Sequence, residues 1–142
     1  MVRLSMIVLD SIDPPRLAAW WAGRLNGTIV LEREGEFCVI EAPHLPVNLG
    51  FQKVDGPHQE KNPVHLDLER RSDVTRDQLV ADWVAAGATH LARHHEPGYG
   101  WDVFSDPEGI RFCIGDAEEP GDSAVTSSTE GTAGAADTAN RA

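Results

Sequence analysis

The sequence predicts an α+β fold made of two modules that share one order of elements: a strand, a helix and three strands. Short runs of strand-forming residues are separated by turn residues, and only two segments have apolar residues at helical spacing. The two halves of the chain, at about 3–54 and 63–115, repeat this order although they share few letters. The order of the elements therefore predicts a pair of βαβββ modules.

The first module opens with a strand-forming run at 3–9, which ends at turn residues beginning with Asp10. Asp13 is a typical helix N-cap, and the two prolines after it suit a first helical turn. The apolar positions that follow predict a helix over 14–25, which ends before Asn26-Gly27. Three further strands are predicted at 28–32, 36–41 and 47–54.

The second module starts with residues 64–69, whose alternating apolar and polar side chains are typical of a half-buried strand. Apolar side chains from Leu79 to Val84 lie at helical spacing and predict a second helix at about 75–86. Strands are then predicted at about 89–93, 101–105 and 110–114. We place His94, His95 and Glu96 in a solvated loop after the first of these strands.

The 142-residue chain carries 23 acidic and 12 basic residues, a formal net charge of −11. From about Asp116 to its end it has no aromatic residue and one valine, too little apolar surface to fold. We therefore predict a domain at 1–115 and a disordered acidic tail at 116–142. The tail has six acids and one arginine, which supply −5 of the charge. This acidic balance disfavours binding to nucleic acid or to an anionic membrane.

Targeting and cysteine patterns point to the cytoplasm. No run approaches the roughly 18 consecutive apolar residues of a membrane span. The first residues also lack the basic and apolar regions of a secretory signal. Cys38 and Cys113 are too few for a disulfide framework and lack the paired spacing of a structural zinc site, so we expect two buried thiols.

Several motifs follow one another in a recognisable order. Asp13-Pro14 precedes a helix that ends in Leu-Asn-Gly, Phe51-Gln52 lies on the fourth strand, and the fifth reads Asn-Pro-Val-His-Leu-Asp over 62–67. Residues 101–109 end in Asp-Pro-Glu-Gly and are followed by Phe112-Cys113. With these motifs, residues 3–115 resemble the vicinal oxygen chelate superfamily, in its branch of glyoxalase-like domains, bleomycin resistance proteins and dioxygenases. The resemblance implies curled mixed sheets that form a cleft for a small ligand. The expected assembly is a homodimer, with a compact two-module monomer as the alternative.

The resemblance also implies where metal-dependent relatives hold their ion, on the first and last strand of each module. These positions are Met6, Gln52, His65 and Cys113 here, and only His65 is a usual ligand in that family. A catalytic divalent ion prefers about three imidazole or carboxylate ligands with open positions beside them. Met6 and Gln52 carry no charge that would compensate the ion, so we expect no metal cofactor. The alternative is a divalent metal that His65 and Cys113 bind in part.

Strand alternation predicts which side chains line the cleft. If Leu66 and Leu68 pack under the second helix, their neighbours face the cleft, and the same reasoning turns Phe51 and Phe112 toward the helices. The acidic candidates favour a cationic ligand, and two rings near the edge of the cleft are placed to stack on it. The predicted ligand-binding residues are Met6, Asp10, Gln52, His65, Asp67, Glu69, Tyr99, Trp101 and Cys113.

Two classes of function remain open. The first is metal-independent binding or sequestration of a small, natural-product-like organic molecule. The second is a lyase, isomerase or dioxygenase that retains a metal or uses His65 as a general acid or base, with Asp67 or Glu69 tuning its pKa. A protein-interaction role rests on the acidic tail alone.

Overall fold

The structure, a computed structural model, describes residues 1, 3–56, 64 and 66–117. His65, predicted to face the cleft, lies outside these residues, as do 118–142. Within the described part of the chain, no helix is long and apolar enough to cross a membrane.

The order of elements confirms the predicted fold class of two βαβββ modules. The first module contains β1 (Met6–Ser11), α1 (Pro14–Leu25), β2 (Thr28–Arg33), β3 (Phe37–Glu41) and β4 (Asn48–Lys53). The second contains β5 (Leu66–Glu69), α2 (Arg76–Ala85), β6 (Thr89–Glu96), β7 (Tyr99–Ser105) and β8 (Arg111–Gly115). The described residues form two compact units: unit 1 contains residues 1, 3–56 and 107–110, and unit 2 contains residues 64, 66–106 and 111–117.

Unit 1 contains a four-stranded sheet in the order β1-β4-β3-β2. Strand β1 is parallel to β4, and the other neighbours are antiparallel. Helix α1 packs on β2, β3 and β4, and its Leu17 and Trp21 are buried together with Ile40, Leu49 and Phe51 of the sheet. These side chains form the core of unit 1.

Helix α1 has the predicted bounds because its two ends are specified locally. The Asp13 side chain accepts a hydrogen bond from the Arg16 backbone N–H at 3.3 Å, which satisfies one of the donors left free at a helix start. Prolines occupy the first turn. At the other end, Asn26 takes a left-handed conformation with φ of 54°, which stops the helix.

Unit 2 contains a second four-stranded sheet in the order β5-β8-β7-β6, with β5 parallel to β8. Helix α2 starts with a capping box, in which Thr75 and Gln78 each accept a backbone hydrogen bond from the other. Trp83 of α2 packs on two rings of the sheet: its ring centroid lies 6.1 Å from that of Phe104 and 5.2 Å from that of Phe112. These contacts identify the face of the sheet that α2 covers.

The predicted loop at 94–96 is wrong, because these residues continue strand β6. They pair with β7, with His94 opposite Trp101 and Glu96 opposite Tyr99, and the hairpin closes at Pro97-Gly98, where Gly98 has φ of 83°. Strand β6 is an edge strand, and from Thr89 to His94 its side chains alternate between exposed and half-buried.

Candidate functional site

The two faces of the sheet in unit 2 carry different chemistry. Phe104 and Phe112 lie under α2, whereas Trp101, Val103 and Cys113 form a buried cluster on the opposite face. This separation follows from alternation, since Phe112 and Cys113 are neighbours on β8 and point to opposite sides. We call the face opposite α2 the ring face, because it carries the aromatic stack described next.

Three rings are stacked along the ring face. The rings of His94 and Trp101 have centroids 5.0 Å apart and an interplanar angle of 18°. Tyr99 continues the stack on Trp101 at 5.9 Å and 26°. Trp101, the middle ring, is 7% exposed, whereas Tyr99 is 38% exposed, so one end of the stack is reached by solvent.

A small pocket lies beside this stack. It has a volume of about 40 Å³ and is lined by Asp67, Tyr99, Trp101, Cys113 and Gly115. A Cβ atom at Gly115 would collide with the hydroxyl group of Tyr99, so a larger residue there would displace the Tyr99 ring from its present place. The pocket admits a small group, since clefts that enclose a drug-sized ligand reach roughly 300–1,000 Å³.

Carboxylates surround the pocket and the exposed end of the stack. Asp67 is exposed, lines the pocket and pairs in register with Cys113. Glu69 is exposed and shares a strand face with Asp67, two residues away. Glu96 is exposed and lies opposite Tyr99 in the β6–β7 pairing. These side chains give the ring face a negative rim, which favours a cation near the rings.

His94 is a residue of this face that the sequence did not single out as a ligand. Its Nε2 atom is buried and has no hydrogen-bond partner within the described residues. Most buried polar atoms are paired with protein or water, so a water molecule or a ligand group is the expected partner of this atom. Extending the predicted strand by three residues to Glu96 would have placed His94 opposite Trp101.

Behind the rings, on the α2 side of the sheet, Asp102 joins several cationic side chains. Its carboxylate accepts hydrogen bonds from Arg76 at 2.9 Å and from Arg93 at 2.8 Å, and it lies 2.9 Å from the Nε2 atom of His90. Burial opposes ionisation of Asp102, but the hydrogen bonds from Arg93, Arg76 and His90 outweigh it and hold its pKa below the usual range. Asp102 is therefore a buried, ionised anchor.

The remaining predicted residues lie on unit 1. Asp10 and Gln52 are register partners on β1 and β4, and Met6 lies on the same face as Asp10, four residues earlier. The Met6 sulfur borders Gly50, where a Cβ would lie 2.8 Å from it. Gln52 donates a hydrogen bond to the carbonyl oxygen of Glu36 at 3.3 Å. The structure thus brings Asp67, Tyr99, Trp101 and Cys113 together around one pocket of unit 2, and it places Met6, Asp10 and Gln52 along one face of the sheet in unit 1.

The comparisons with known proteins agree with this architecture. The model of the glyoxalase-like domain family matches residues 6–115, which is most of the chain. The protein therefore belongs to the glyoxalase-like domain family, as its motifs suggested. Comparison with the curated proteins gives no match.

Solved structures share the same fold. A genomically encoded fosfomycin resistance protein from Listeria monocytogenes has a TM-score of 0.67 at 15% identity, over 83% of this chain and 95% of that one. A glyoxylase/bleomycin resistance protein/dioxygenase domain from Frankia sp. EAN1pec has a TM-score of 0.65 at 19% identity, and the match covers 83% of this chain and 99% of that one. Lactoylglutathione lyase from Agrobacterium tumefaciens has a TM-score of 0.61 at 15% identity, and the match covers 81% of this chain and 93% of that one. At these identities the likeness concerns the fold.

The family that the sequence resembles includes metal-dependent members, so we asked whether the described residues could bind a divalent ion. Among the described residues, which leave out His65, no three His, Cys, Asp or Glu side chains are placed to hold a metal. At two of the four positions that correspond to the ligands, Met6 offers a thioether and Gln52 a neutral amide, whose nitrogen donates to the carbonyl oxygen of Glu36. Hard divalent ions prefer charged oxygen or imidazole ligands, so these two residues do not suit such an ion.

Proposed function

We propose that this glyoxalase-like protein binds and sequesters a small organic molecule through an aromatic group, without a metal. The observation that carries the proposal is the stack of His94, Trp101 and Tyr99, which ends in a half-exposed ring beside a pocket. A further aromatic ring packed on such a stack gains about 0.5–1.5 kcal/mol beyond the area it buries. Binding without chemical change needs no more than such contacts.

The charge of the ring face supports a cationic ligand. Asp67, Glu69 and Glu96 are exposed carboxylates on the same side as the rings. A cation near the face of Tyr99 would gain both from these charges and from the ring itself. We therefore propose a ligand that joins a planar ring to a positive group, a combination found among natural products.

The size of the pocket limits the part of the ligand that it holds. Its volume of about 40 Å³ accepts one small substituent, such as one N-methyl group of a quaternary ammonium ion. The ring of the ligand would then lie on Tyr99, outside the pocket.

The test is calorimetric titration with three probes that share a benzyl group: benzyltrimethylammonium, benzyl alcohol and phenylacetate. The proposal expects the cation to bind most tightly and the anion least. Replacing Tyr99 with alanine should weaken binding of the cation about fivefold. Asp67→Asn should reduce the preference for the cation about two- to fivefold. Trp20→Phe on α1 is the control and should change nothing.

Two outcomes would overturn the proposal. One is a flat response to all three probes, or an equal loss in the Trp20→Phe control. The other is a stoichiometric divalent metal in the untagged protein, required for probe binding and lost in His65→Ala, which would favour the metal-dependent alternative.

The native mass of the same sample tests the expected homodimer, and cell fractionation tests the expected cytoplasmic location.

A further inference from the structure

Arg76 reaches from the first turn of α2 to the two strands that carry the rings. Its Nε atom donates to Asp102 Oδ2 at 2.9 Å. Its Nη2 atom donates to two backbone carbonyl oxygens, that of His94 at 3.0 Å and that of Trp101 at 2.9 Å. One guanidinium group therefore holds the backbone of both residues whose rings are most closely stacked.

Arg76 acts from the side of the sheet opposite the ring face. Asp102 follows Trp101 on β7, so their side chains point to opposite faces, and Asp102 is 1% exposed on the α2 side. His94 and Trp101 are also register partners across the β6–β7 hairpin. Arg76 thus fixes the distance between two paired positions without adding to the surface that a ligand would touch.

Gly100 leaves the space that this guanidinium group occupies. A Cβ atom at Gly100 would collide with Arg76 Nη1 and lie 3.0 Å from Asp116 Oδ2. Asp116 accepts a hydrogen bond from the Gly100 N–H at 2.8 Å, and its own N–H donates to the Gly100 carbonyl oxygen at 2.8 Å. Arg70 holds the other carboxylate oxygen of Asp116 at 2.8 Å. The backbone between Tyr99 and Trp101 is therefore held from the same side.

We propose that Arg76 is the positioning residue of the aromatic stack, fixing His94 against Trp101 so that the rings are aligned before a ligand binds. The inference rests on the proposed function of the ring face for its effect on affinity, while its effect on the rings is independent of any ligand. Sites bind well when their contact residues are held in place by a supporting layer of hydrogen bonds.

The chemistry of the side chain explains why an arginine is needed. Its planar group presents donors in fixed directions, so one donor binds the carboxylate and another binds both carbonyl groups. A lysine keeps the charge but offers one ammonium group to three acceptors in different directions. Arg93 provides a matched comparison, because it also donates to Asp102 at 2.8 Å while its other bond goes to Asp77 at 2.7 Å.

The experiment compares Arg76→Met, Arg76→Lys and Gly100→Ala with Arg93→Met in the full-length chain. The four tryptophans give separate indole N–H signals in a proton–nitrogen NMR spectrum, and Trp101→Phe identifies that of Trp101. Ring currents from His94 and Tyr99 shift this signal while the stack is intact. Gly100→Ala displaces the guanidinium group without removing it, so it tests the same contact if Arg76→Met fails to fold.

The expected result is that Arg76→Met and Gly100→Ala move the Trp101 signal more than the other three indole signals, with Arg76→Lys intermediate. Binding of benzyltrimethylammonium should weaken on the order of tenfold in Arg76→Met and by less than about twofold in Arg93→Met. A Trp101 signal that moves no further in Arg76→Met and Gly100→Ala than in Arg93→Met would overturn the inference. If the signal moves as expected but the wild-type chain binds no probe, the positioning role stands and the proposed function fails.

Discussion

Asp102 shows how one buried carboxylate can set the pH range in which a sheet is stable. The side chains of Arg76, Arg93 and His90 bind it, and they hold its pKa in the folded chain below the usual aspartate value of about 3.9. The network therefore stabilises the fold above that usual value, and its contribution is lost as the pH falls through the lowered folded pKa.

We predict that Asp102→Asn lowers the free energy of unfolding at pH 7 by about 3 kcal/mol, because two arginines lose their shared anion. The variant should also lose less stability than the wild type as the pH falls below the usual aspartate pKa of about 3.9. Urea unfolding at several pH values measures both effects. Asp73→Asn, which removes an exposed partner of Arg71, is the control and should behave like the wild type. Identical pH dependence in Asp102→Asn and the wild type would contradict this account.

At the same scale, alternation predicted part of the candidate site. It placed Asp67 and Cys113 on one face and Phe112 on the other, and the structure has this arrangement. His94 was missed, because a strand end rich in histidine and glutamate looks like a loop when its partner strand is unknown. The contacts of Arg76 were also beyond prediction, since they join residues 18 and 25 positions away.

Among the elements, helix α1 depends on a carboxylate from far along the chain. Glu108 Oε1 accepts hydrogen bonds from the Ser11 hydroxyl at 2.9 Å and the Asp13 N–H at 3.0 Å. Its Oε2 accepts from the Ile12 N–H at 2.8 Å. A carboxylate is favoured beside the N-terminus of a helix, where backbone N–H groups lack partners. Glu108 thus supplements the local cap made by Asp13.

We predict that Glu108→Ala lowers the free energy of unfolding by about 2 kcal/mol, since three donors lose a charged acceptor. Glu108→Gln should fall between Glu108→Ala and the wild type, because an amide keeps an acceptor but loses the charge. Chemical denaturation monitored by circular dichroism gives these values. Asp82→Ala, on the exposed side of α2, is the comparison and should stay within about 0.5 kcal/mol of the wild type. Equal losses in Glu108→Ala and Asp82→Ala would argue against the cap.

Elements with local end signals were the ones the sequence predicted best. Asp13, the prolines and Asn26 define α1 within the chain itself, and Thr75 with Gln78 defines the start of α2. The pairing of the strands was harder to predict from the sequence. Neither the parallel contact of β1 with β4 nor that of β5 with β8 leaves a short-range signal, and the resemblance implied only that the sheets are mixed.

For the whole molecule, the boundary between domain and tail is the open question. We predicted the tail to begin at about Asp116, and this residue makes hydrogen bonds with Arg70 and Gly100. Burial opposes its ionisation, but the hydrogen bonds from Arg70 and the Gly100 backbone, with the charges of Arg70 and Arg76, lower its pKa below the usual aspartate value. Asp116 thus takes part in the hydrogen bonds of unit 2, whereas composition predicts that the chain beyond it adds little to the fold.

The last prediction separates these two contributions. A chain ending at residue 117 should unfold with the same free energy as the full-length protein to within about 0.5 kcal/mol, because the removed segment lacks the apolar residues of a core. Asp116→Ala in the full-length chain should lose about 1–2 kcal/mol, since Arg70 and the Gly100 N–H lose an acceptor. Thermal and urea unfolding of both variants measure this difference. A shortened chain that is less stable than Asp116→Ala would show that the acidic segment belongs to the folded domain.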